Sequence, residues 1–125
     1  MSFIDELKTR FDTLEPDRLF IPAWDRYVYF EPFTLRQRIE VKKLMGKSTA
    51  DADYIARTIT TCALDENGER IFDDGDWFHL YDLGVSTELD DLFFAICKHL
   101  GERGRAEEEE KKRQLEEQAQ ALSDG

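Results

Sequence analysis

The residues with the most chemical potential in this 125-residue chain lie in the run DENGERIFDDGD, from Asp65 to Asp76. Carboxylates spaced around a glycine are the raw material of a calcium loop, which needs oxygen ligands at fixed positions and a glycine at the sixth for its sharp turn. Neither register satisfies that demand. With Gly68 at the sixth position, the first ligand position falls on Ala63 and the twelfth on Asp74 rather than a glutamate; with Asp65 first, Arg70 stands where the glycine must be. The run reads instead as a tight turn followed by a helix cap.

The other candidates for chemistry are few. His79 and His99 are the only histidines, and neither has a partner at ligand spacing. Cys62 and Cys97 form no CxxC pair, so they signal neither a zinc site nor a disulfide framework and read as buried thiols. No Walker loop, dinucleotide fingerprint or HExxH occurs, and no local motif joins a nucleophile to a base. The chain therefore reads as a non-enzymatic binding protein with no catalytic residue, cofactor or metal.

Charge narrows the kind of partner. The formal net charge of −11 disfavours a nucleic-acid surface, which needs clustered Lys and Arg. The acidity is uneven: Asp65, Glu66, Glu69, Asp73, Asp74, Asp76, Asp82, Glu88, Asp90 and Asp91 face only Arg70 in their stretch, whereas Arg36, Arg38, Lys42, Lys43 and Lys47 face only Glu40. No apolar run approaches a signal peptide or a membrane span, so a cytoplasmic protein is expected.

Local signals place these residues on an α+β fold, predominantly helical, with about five helices and a small antiparallel sheet. Apolar residues at 41%, including nine Phe, suffice for the core of one domain. Ser2 and Asp5 read as a capping box opening a helix to about Leu14, ended by Pro16. The segment FIPAWDRYVYFEPF, broken by Pro22 and Pro32, favours a strand near 27–30. Thr34 and Gln37 make a second capping box for a helix stopping at Gly46, and Ser48 or Thr49 is placed to cap the next, which carries Tyr54, Ile55 and Ile59. The β-branched run from Thr58, the DENG turn and Glu69 to Phe72 predict a hairpin near 59–64/69–72. Asp73 and Asp76 cap a short helix ending at Gly84, and Ser86 opens a helix whose stripe is Leu89, Leu92, Phe93, Ile96 and Leu100. Residues 1–100 form the domain. Residues 101–125 form a charged tail, helical or disordered, with only Leu115 and Leu122 as large apolar residues.

Two surfaces emerge for binding. Trp24, Tyr27 and Tyr29 either bury a strand on both sides or contribute to an aromatic contact face, where such residues are enriched; Phe94, off the stripe of its helix, is a further partner candidate. Arg36, Lys43 and Lys47 form a basic edge suited to the acidic residues Asp73, Asp74, Asp76, Asp90 and Asp91 of a second copy, a head-to-tail contact.

The stretch LDENGERIFDDGDWFHLYDLGVSTELDDLFFAI resembles the tail assembly chaperones of lambda-like long-tailed bacteriophages, on Asp65, Gly68, Phe72, Asp73, Asp76, Leu83, Ser86, Leu89 and Ile96. The likeness covers 33 of the 125 residues, about a quarter of the chain. It implies a non-catalytic homo-oligomer that coats the tape measure protein and helps recruit tail tube subunits, acting in the host cytoplasm and absent from the mature virion. In that family a programmed ribosomal frameshift also yields a longer product; GAA AAA AAG, one possible coding of Glu110, Lys111 and Lys112, contains a slippery heptamer. The competing reading is an acidic DNA mimic that inhibits a nucleic-acid enzyme, against which the basic residues at 36–47 count.

Overall fold

The computed structural model describes residues 2–99 and 101–124, so Leu100 of the anticipated stripe lies outside the described residues. The fold is α+β and predominantly helical, with six α-helices and one two-stranded antiparallel sheet among the described residues. Helix α1 spans Phe3–Asp12, two residues shorter than expected, and Ser2 caps it by accepting a hydrogen bond from the Asp5 amide at 3.2 Å. None of its residues is buried.

Strand β1 (Asp17–Ile21) pairs with β2 (Arg26–Phe30) through a turn of 3₁₀ helix at Pro22–Trp24, closed by Asp25 at φ 50°. The strand expected near 27–30 is thus present. Its partner β1, not anticipated, is a short run between Pro16 and Pro22 with no strong alternation to announce it. Side chains alternate across the sheet. Asp17, Ile21, Val28 and Phe30 are buried on the inner side, while Phe20 and Tyr27 are exposed on the outer.

Helix α2 (Leu35–Met45) begins at the full Thr34–Gln37 capping box and stops at Gly46, whose φ of 60° favours glycine. Helix α3 (Asp51–Cys62) overturns the expected hairpin: residues 59–62 are helical, and only isolated bridges join Leu64 to Tyr29 and to Arg70. Burial outweighs strand propensity here. Thr58, Ile59 and Thr60 are enclosed, and the Thr60 hydroxyl donates back to the Ala56 carbonyl at 2.8 Å. The cap of α3 also differs, since Ala50 rather than Ser48 or Thr49 occupies that position.

A 3₁₀ helix, Asp74–His79, opens with the Asp73–Asp76 capping box and runs into α4 (Leu80–Leu83). Helix α5 (Ser86–Lys98) then crosses the core, where Leu92, Ala95 and Ile96 meet Ala56, Ile59 and Cys62 of α3 and Ile21, Val28 and Phe30 of the sheet. The polar tail is helix α6 (Gly101–Asp124), which touches β1 and leaves Leu115 and Leu122 exposed. Its glutamates and basic residues support it locally: Arg113 pairs with Glu110 at 2.6 Å, and Lys98 of α5 reaches Glu108 at 2.9 Å.

Candidate protein-binding surfaces

The sheet separates the aromatic residues into two sites. On the outer face, Tyr27 stands opposite Phe20 with ring centroids 5.2 Å apart, and the Arg18 guanidinium lies 4.3 Å from the Tyr27 ring centroid. Tyr29 shares that side, half-buried, and its backbone holds Leu64 by two hydrogen bonds of 2.8 and 2.9 Å. The strand is therefore enclosed on one side and open on the other. Trp24 does not join this face. Carried by the 3₁₀ turn, it packs edge-on against Phe72 at 5.7 Å and lines a groove of about 530 Å³ with Ile71, Leu80, Leu83, His79 and Arg26. Arg26 and Ile71 also line the neighbouring cleft beside Tyr27 and Tyr29, so the two sites adjoin.

Phe94 is 65% exposed on α5, stacked edge-on to Phe93 at 5.6 Å. With Leu19, Ala95 and the stem of Lys98 it forms an apolar floor where α6 approaches β1, rimmed by Asp91, Glu108 and Lys112.

The charged edges are less uniform than their spacing implies. Arg36 and Lys43 are exposed on α2, but Lys47 lies beyond its end, after Gly46 redirects the chain. Asp73 and Asp76 cap the 3₁₀ helix reciprocally, and Asp74 pairs with Arg70 at 2.8 Å. Asp90, partly covered, borders a cleft with Tyr81 and Leu89, while Asp91 is exposed on another side of α5. Of the acidic set, only Asp91 remains an exposed carboxylate outside a capping or ion-pair role. The DENG turn is likewise internally engaged, as the Asp65 carboxylate accepts the amides of Asn67 at 2.8 Å and Glu69 at 3.0 Å.

One polar cluster was invisible in the sequence. Asp53 of α3 accepts hydrogen bonds from the hydroxyls of Ser48 and Tyr81, joining the α2–α3 connection to α4 across 28 positions of chain. The Ser48 and Tyr81 bonds hold the Asp53 carboxyl below its ordinary pKa, and the Asp53 acceptor raises that of Tyr81. Beside it, the Arg57 guanidinium lies 4.0 Å from the Trp77 ring centroid. The cluster fastens elements together. Cys62 is buried as expected and its thiol is pushed up to about 12, chiefly by burial, whereas Cys97 is exposed, contrary to expectation. Among the described residues, no three His, Cys, Asp or Glu side chains gather as a metal-ion cluster, and no helix is long and apolar enough to cross a membrane.

Compared with protein-family models, curated proteins and solved structures, the chain gives no match.

Proposed function

We propose that this chain is a tail assembly chaperone of a lambda-like long-tailed phage, a non-catalytic protein that coats the tape measure protein and helps recruit tail tube subunits. The observation that carries the reading is the amount of large apolar side chain left in solvent on a strongly acidic body. Phe3, Phe11, Leu35, Phe78, Leu83 and Phe94 are between 47% and 74% exposed, and a surface of this kind marks protein contact. The residues that carry the family likeness act as punctuation and packing. Asp65 and Gly68 form a turn, Asp73 and Asp76 a cap, and Ile96 core, which suits a scaffold for binding better than a reaction centre.

In this reading the Trp24–Phe72 groove and the adjoining outer face of the sheet receive apolar side chains from the helical tape measure. Each contact is weak, and many copies along one client supply the avidity. The work takes place in the host cytoplasm, before the virion is complete. Purified chain should capture tape measure fragments and keep them soluble, and Leu83→Asp, at the exposed rim of the groove, should weaken capture about tenfold or more. Capture of a DNA-binding enzyme with indifference to those fragments would establish the DNA-mimic alternative instead. The gene supplies a separate check on the longer product: absence of a slippery run and of an overlapping reading frame removes the frameshift.

A further inference from the structure

Helix α1 has a built start and an unbuilt side. Its Ser2 cap is formed, and Phe3, Ile4, Leu7 and Phe11 fall within an arc of about 100° by the 3.6-residue repeat. All four are exposed, from 45% at Leu7 to 70% at Phe3, and Leu14 just beyond is 49% exposed. A helix of 10 residues has little stability of its own in water, because nucleation is unfavourable and tertiary packing normally supplies the balance. The stripe therefore calls for a partner surface.

The chain carries a surface of matching character. Helix α2 packs on α3, burying Val41, and leaves Leu35 and Ile39 74% and 55% exposed, one turn apart and directed away from Val41. Arg36 and Lys43 flank that strip on one side, Arg38 and Lys42 on the other. Residues 34–47 carry a net charge of +4, whereas residues 3–15, with Asp5, Glu6, Asp12 and Glu15 against Lys8 and Arg10, carry −2. The charges attract, and each member offers the apolar strip that the other lacks. A lipid surface is the poorer occupant, since helices that lie on membranes are rich in Lys and Arg on their polar side.

We propose that α1 is an exchange arm, docking its Phe3–Leu7–Phe11 stripe onto the Leu35–Ile39 face of α2 in a second copy of this chain. Each copy gives its arm to one neighbour and receives an arm from another, a head-to-tail contact that propagates beyond a dimer, whereas reciprocal exchange between two copies would close as a dimer. It differs from the basic-edge contact expected from spacing, in which Asp73, Asp74 and Asp76 of the acidic set are engaged within their own copy. The identity of the client does not enter into it.

Sedimentation velocity on the full chain, across a concentration series at low salt, tests the arm. Wild type should form species larger than dimers as concentration rises. Leu7→Asp with Phe11→Asp, and separately Leu35→Asp with Ile39→Asp, should each weaken association more than about tenfold while circular dichroism shows the core intact. An equimolar mixture of the two variants should form a 1:1 dimer and stop there, because one retains the receiving face and the other the arm. Wild type that stays monomeric overturns the proposal and leaves the stripe to a client or to the chain itself, and wild type that stops at a dimer overturns the head-to-tail contact in favour of reciprocal exchange. Assembly that survives either variant overturns it too, survival in Leu35→Asp with Ile39→Asp indicating arm-to-arm pairing, as does a mixture that remains monomeric.

Discussion

In α5 the side chains of Leu92 and Ile96 are sealed from solvent, while in α1 those of Phe3, Leu7 and Phe11, set at the same helical period, stand in water. Both stripes specify a helix with one apolar side. What differs is the surroundings: α5 lies against α3 and β1, and α1 is joined to β1 by residues 13–16 at the edge of the body. An amphipathic pattern thus states that a face will be covered without stating by which molecule.

That contrast can be broken most forcefully in the core. Ile96→Ala should cost about 2–5 kcal/mol in urea unfolding, the loss of a buried aliphatic side chain plus the cavity it leaves. A cost near zero would mean that α5 is not the central helix. A smaller effect is expected at the Asp53 cluster, which ties α3 to α4. Because the folded-state pKa of Asp53 is depressed, its contribution is present above the ordinary carboxylate pKa and is lost as pH falls through the lowered value. Asp53→Asn should therefore melt below wild type at neutral pH, with the gap closing in acid; a gap independent of pH would remove the carboxylate from the explanation. The smallest effect belongs to α1. In dilute, monomeric protein Phe11→Ala should shift unfolding by no more than about 0.5 kcal/mol, since the ring is already 47% exposed. A core-sized loss there would show that α1 is packed on its own body.

Legibility in the sequence followed the range of the interactions. The caps at Ser2, Thr34–Gln37 and Asp73–Asp76 involve residues three apart, and all three were readable. The run Thr58–Thr61 misled because β-branched residues favour strands in the absence of context, and the context is burial against a helix distant in sequence. Strand β1 was missed for the converse reason, as its ladder to β2 is its main signature. The candidate surfaces were partly legible: Tyr27 and Phe94 are exposed as a contact role requires, but the grouping of Trp24 with Phe72 and Leu83 rather than with Tyr27 depends on a turn whose direction no local pattern sets. The Ser48–Asp53–Tyr81 cluster has no sequence signal at all, because two of its members are 28 positions apart.

The connection from Thr13 to Pro16 has a metrical consequence. Four residues at full extension span roughly 14 Å, and the proline stiffens the end nearest β1. An arm on so short a leash can only be received by a neighbour close to the sheet that launches it. In the proposed assembly the leash would act as a ruler, setting the rise from one copy to the next.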